Sequence, residues 1–169
     1  MSQFERPNIA KMQGYTSGEQ PQDGRSIKLN TNENPYPPSP HVAAALKAFA
    51  SDQLRVYPQA DARALRQAIA DHHEISVDSV VITHAGDEAL RLAVTTFVAP
   101  GGVVASTEPT YSLYPVLAQI QDARMFTLDL DDDWSLPNDF ASKVNAASAQ
   151  LTCVVNPQAP SGYLNNMQT

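Results

Sequence analysis

Leu151-Thr152-Cys153-Val154-Val155-Asn156-Pro157-Gln158-Ala159-Pro160-Ser161-Gly162 decides how this chain is read. Leu151 to Val155 is short, apolar and β-branched, the pattern of a buried strand. The residues after it cannot continue a ladder. Pro157 and Pro160 lack the N–H, and Asn156, Ser161 and Gly162 favour a turn. A strand feeding a rigid turn is the unit of an α/β sheet, in which ligands gather at the carboxyl ends of the strands.

The same grammar recurs upstream. Met125 to Leu130 reads as a strand. Val103 to Thr107 reads as another, followed by Glu108-Pro109-Thr110, and Val80 to Thr83 as a third, followed by the tight turn His84-Ala85-Gly86. Between them lie helical stripes: Leu90, Ala93, Val94 and Phe97; Leu113, Val116, Leu117 and Ile120, with Pro115 in the first turn; and Leu136, Phe140 and Val144 behind a capping Ser135. Nearer the N-terminus, Val42, Ala45, Leu46 and Phe49 mark one helix, and Leu65, Ala68, Ile69 and His72 mark another running from about Ala60 to His73. Ile27 to Leu29 has the composition of a short strand, Asn30 to Pro40 is turn chemistry, and Met1 to Arg25 reads as an extended polar arm. Strands alternating with helices from Val80 onward predict an α/β fold with a mostly parallel sheet between helices.

Composition narrows the function. At 169 residues and 43% hydrophobic, the chain suits a globular domain with a real core. A net charge of -7 and a pI near 4.9 argue against a nucleic-acid or anionic-membrane surface. The single cysteine, Cys153, makes no internal disulfide and reads as a small buried hydrophobe. No apolar run follows Met1 and none approaches the roughly 20 residues of a membrane span, so a cytoplasmic protein is expected. His72 and His73 are adjacent and point apart on a helix, Asp131-Asp132-Asp133 reads as a solvated loop, and His41 and His84 read as structural or solvent-facing; no metal site is expected.

Two further segments carry chemistry. At Ala85-Gly86-Asp87-Glu88, small residues open a helix whose first N–H groups and positive dipole end suit a phosphate. The simpler reading is an ordinary turn with acidic helix-start residues. Tyr111, just past a strand end, can stack on a flat ring or simply pack on the sheet edge.

The ordered set is more specific than its parts. Leu29-Asn30-Thr31-Asn32-Glu33-Asn34-Pro35-Tyr36, Val56-Tyr57-Pro58, Ala85-Gly86-Asp87-Glu88, Pro109-Thr110-Tyr111-Ser112-Leu113-Tyr114 and the Asn156 turn together resemble the histidinol-phosphate aminotransferase family. The resemblance runs from about Tyr15 to Leu164. It implies a fold-type-I transferase dependent on pyridoxal 5'-phosphate (PLP), with residues 1–40 as arm and extended segment and 41–169 as part of the large PLP-binding domain. It implies a homodimer exchanging an amino group between L-histidinol phosphate and 2-oxoglutarate in histidine biosynthesis. Ala85, Gly86 and Asp87 would then meet the PLP phosphate through their backbone, Tyr111 would stack on the pyridine ring, and Tyr57 would reach the phosphate of the partner subunit's cofactor. Tyr15 and Asn34 would approach substrate.

The chain departs from the family pattern in two ways. The residue just before the Pro-Thr-Gly of the family's turn is an asparagine that donates to the PLP phenolate oxygen; here that position is Ala159, which has no donor. The lysines are Lys11, Lys28, Lys47 and Lys143, none of which follows the turn, so none matches the Schiff-base lysine. The resemblance therefore implies an N-terminal portion that is inactive alone. Threonine-phosphate decarboxylase, which shares the arm and phosphate-turn motifs, is the nearest alternative. A non-catalytic chain acting by binding or dimerisation is another. A generic nucleotide-binding domain lacks its Gly-x-Gly-x-x-Gly turn.

Overall fold

A computed structural model of the chain describes residues 4–15 and 18–166. It divides into two compact units. One gathers the residues up to Tyr15 and those from Thr83 onward; the other is the segment between, ending at Ile82.

The first unit is built on three parallel strands, β1 (Val103–Glu108), β2 (Arg124–Asp129) and β3 (Leu151–Cys153), in the order β2-β1-β3. Val103 pairs with Arg124 and Glu108 with Asp129 on one side of β1; Val104 pairs with Leu151 and Ser106 with Cys153 on the other. The central strand is buried from Val103 to Thr107, as a parallel strand covered on both faces must be. Successive side chains point to opposite faces, and the core splits accordingly. Val104 packs with Val94, Val98, Leu113, Leu117 and Ala118 from α4 (Ala85–Phe97), the residue after it, and α5 (Leu113–Ile120). Ala105 packs instead with Phe140 and Val144 of α6 (Phe140–Ala146). The unit is therefore a three-layer α/β/α stack, as the strand–helix alternation predicts. Val104 has 0% exposure. Val104→Ala lowers the unfolding free energy by about 2 kcal/mol in urea denaturation. A loss under about 0.5 kcal/mol would place the residue outside the core.

Several expectations need correction. The arm is not wholly extended: Pro7–Ala10 forms a short helix, α1. Beside it Arg6 donates to Ile120 O (2.9 Å) and Asn8 to Gln119 O (2.8 Å), satisfying the last carbonyls of α5. Ser135 caps no helix. Its N–H bonds Asp133 Oδ1 (3.0 Å) in a local turn, and α6 starts only after Pro137 and Asn138. Val80–Thr83 and Ile27–Leu29 form no strand among the described residues. A strand exists by pairing, and neither run joins a ladder. Val81 is 75% exposed, and the Val80 carbonyl accepts a side-chain bond from Arg66 (2.9 Å).

The second unit holds α2 (Pro40–Ala48) and α3 (Arg63–His73), with 3-10 turns at Ser51–Arg55 and Val77–Ser79. Ser39 caps α2 by accepting from His41 N–H. Arg66 is its strut: it donates to Val77 O (2.8 Å) and Val80 O and pairs with Asp61 (3.2 Å). Val42, Ala45 and Leu46 of the expected stripe fall on α2, but Phe49 lies just past it in extended backbone, and α2 buries none of its residues.

Candidate active site

Parallel strands bring their carboxyl ends to one edge. The loops after β1 and β3 meet there, with the start of α4. The chain enters α4 through Ala85, whose φ of 60° is a left-handed conformation unusual for a residue with a Cβ. Two short bonds hold it: Ala85 N–H to Thr83 O (3.0 Å) and Thr83 Oγ1 to Ala85 O (2.8 Å). Glu88 folds back to accept the N–H of His84 (2.6 Å). That bond, with smaller help from His84 and Arg91, holds the Glu88 carboxyl below its ordinary range. Among the described residues the start of α4 has no side-chain cap, His84 offering none. The N–H groups of Gly86 and Asp87, which a helix start leaves without intrahelical acceptors, therefore remain available. A Cβ built on Gly86 meets nothing within 4 Å, so the space beside that backbone is open. A cleft of about 370 Å³ runs along His84, Asp87, Glu88, Arg91, Leu113 and Leu117.

Tyr111 closes this edge. Its hydroxyl donates to Asp87 Oδ1 (3.2 Å), joining the β1 loop to the start of α4. Tyr15 packs edge-on against its ring at 6.4 Å between centroids, and Tyr114 does so at 5.8 Å. Burial pushes the Tyr111 phenol above its ordinary pKa, and Tyr15 and the Asp87 carboxylate push the same way.

The turn after β3 is tied at both ends. Asn156 and Asn165 exchange side-chain and backbone bonds: Asn156 Nδ2 donates to Asn165 O (3.2 Å), and Asn165 N–H to Asn156 Oδ1 (2.9 Å). Gln158 donates across to Pro109 O (2.7 Å). Deeper in, Ser106 Oγ donates to Cys153 O (2.9 Å) and lies 3.1 Å from Thr110 Oγ1. The Glu108-Pro109, Asn156-Pro157 and Ala159-Pro160 peptide bonds are cis.

Of the residues singled out from sequence, Ala85, Gly86, Asp87, Tyr111 and Tyr15 converge on this edge. Ala159 is exposed on the turn with only a methyl group to offer. Asn34 and Tyr57 belong to the other unit: Asn34 Oδ1 accepts from Tyr36 N–H (3.0 Å), and Tyr57 is fully exposed. Gln158 and Ser106 escape a reading of the sequence. For Ser106 the one available signal was a polar residue inside an otherwise apolar strand; Gln158, on a mostly exposed turn, gave none. Among the described residues no group of three His, Cys, Asp or Glu is placed to hold a metal, and no helix is long and apolar enough to cross a membrane.

Known proteins carry the same pattern. Residues 25–168 match the family described as aminotransferase class I and II. Histidinol-phosphate aminotransferase of Geotalea uraniireducens is 43% identical over 94% of the chain, and that of Chromohalobacter salexigens 37% over 96%. The chain spans about 45% of the length of each. In three dimensions it superposes on histidinol-phosphate aminotransferase from Sinorhizobium meliloti, solved in complex with pyridoxal-5'-phosphate, with a TM-score of 0.80 and 24% identity. That match covers 95% of this chain and 44% of the other, and shows a shared fold-type-I architecture. With the family matched over most of its length, the chain belongs to the class I and II aminotransferases.

Proposed function

We propose that the gene product is a PLP-dependent aminotransferase moving an amino group between L-histidinol phosphate and 2-oxoglutarate, working as a cytoplasmic homodimer in histidine biosynthesis. The observation that carries the cofactor is the contact of Tyr111 with Asp87 at the uncapped start of α4. The residues fit the group at two of three points. The free N–H groups of Gly86 and Asp87, beside open space, suit the phosphate. Tyr111, held by Asp87 and flanked by two tyrosines, offers a fixed ring for stacking. At the third point Ala159 brings no donor to the phenolate oxygen.

When bound, PLP supplies the electron sink for chemistry at the amino-bearing carbon. The residues orient it. Ala85 sets the direction of the first turn, Gly86 and Asp87 would donate to the phosphate, and Tyr111 would lie against the ring. Tyr15, already against Tyr111, is placed to shield the substrate from water, and Asn34 contributes to substrate binding. Full exposure of Tyr57 supports its role toward the partner subunit's cofactor. The substrate assignment rests on the likeness to relatives named for histidinol phosphate.

The test is amino transfer by the purified full-length gene product with PLP. Glutamate formed from 2-oxoglutarate in step with loss of L-histidinol phosphate is expected. Carbon dioxide released from a phosphorylated amino acid would indicate a decarboxylase, and no turnover of either kind would refute the proposal.

A further inference from the structure

We infer that Gln158 is a positioning residue that sets the gap between the Tyr111 loop and the 156–162 turn, and so the fit of the cofactor between them. The inference rests on the PLP reading above. Gln158 is a polar side chain with 3% exposure, beside an exposed Ala159. Its Nε2 donates to Pro109 O (2.7 Å), in a loop 49 residues away in sequence. Its Oε1 accepts from both the N–H (3.2 Å) and the hydroxyl (2.9 Å) of Ser161. Its own N–H reaches Tyr163 O (2.7 Å), and its carbonyl accepts from Gly162 N–H (2.6 Å).

One amide thus shapes the turn with its oxygen and ties the turn to the neighbouring loop with its nitrogen. Pro109 lies two residues before Tyr111, so the tie acts on the backbone that carries the stacking ring. The inner link, Ser106 with Thr110 and the Cys153 carbonyl, fixes the loop at the sheet. The Gln158 tie fixes it farther out. With Ala159 offering no hydrogen bond, the spacing of the two walls has to hold the ring edge by shape. Asparagine at 158 is one methylene shorter and cannot span to Pro109 O while still holding Ser161.

The experiment compares Gln158→Met and Gln158→Glu with wild type in the full-length gene product. PLP affinity is read by equilibrium dialysis of the apo-protein, and amide hydrogen exchange is followed without PLP, both well below the melting temperature. Met fills the space but removes both halves of the amide. It should speed exchange in 109–114 and 158–163, leave β1 protected, and weaken PLP binding by about tenfold, the loss of one net hydrogen bond's worth of order. Glu, measured at a pH high enough to ionise it, keeps the acceptor for Ser161 and loses the donor to Pro109, so it should loosen 109–114 alone. If Met does not fold, the Glu pattern decides. Unchanged PLP affinity with exchange confined to 158–163 would show a local brace only and overturn the inference. Wild-type protein that binds no PLP would instead defeat the cofactor reading, a result the comparison reports separately.

Discussion

Residues 1–169 expressed alone should form no glutamate from L-histidinol phosphate and 2-oxoglutarate, even with PLP in excess. The chemistry needs an amine that can bond the cofactor and carry a proton to and from the reacting carbon. All four lysines precede the 156–162 turn, and none lines the cleft at the start of α4. Lys143 pairs with Asp139 (2.8 Å) on α6, on the sheet face opposite α4. Lys11 lies with Asn8, Gln119 and Asp122 near the C-terminal end of α5, a helix length of roughly 12 Å from Leu113. Lys28 pairs with Glu33 in the other unit, and Lys47 sits in the last turn of α2. The measurement is glutamate formation by the purified 169-residue polypeptide against a PLP blank. A rate above the blank would mean that one of these four serves, and mutating each to alanine would identify it.

Tyr111→Ala in the full-length gene product should raise the dissociation constant for PLP roughly 10- to 100-fold, the sum of a lost stacking surface and a lost hydroxyl bond. Tyr111→Phe keeps the ring and loses only the bond to Asp87, so its effect should be smaller, about 3- to 10-fold. The order of the two separates stacking from packing. Were Tyr111 only a wedge between Tyr15 and Tyr114, Ala would lower thermal stability and leave PLP affinity as it was. Equilibrium dialysis and a thermal melt on the same samples distinguish the two.

Much of this was legible in the sequence because it is local. The run Val103 to Thr107 is apolar or small throughout and became the buried centre of the sheet. Leu113, Val116, Leu117 and Ile120 keep helical spacing, and α5 formed over that stretch. Spacing says which side chains share a stripe, but not how far a neighbour covers it: Val94 is buried while Phe97, on the same stripe, is 62% exposed. What was missed depends on partners. Val80–Thr83 has strand composition and no ladder. Helix α1 is too short to show a period, and it is held by Arg6 and Asn8 reaching carbonyls more than 100 residues away. At the site, the residue types at 85–87 and 111 pointed to phosphate and ring recognition. The bond between Tyr111 and Asp87, the braced turn around Gln158 and the left-handed Ala85 are relations between segments, and only the fold supplies them.

The decisive measurement is a crystal structure of the full-length gene product with PLP. Phosphate oxygens should lie within about 3 Å of the backbone nitrogens of Gly86 and Asp87, with the pyridine ring on the face of Tyr111. PLP bound with its phosphate away from the start of α4, or with Tyr111 out of contact with its ring, would contradict it.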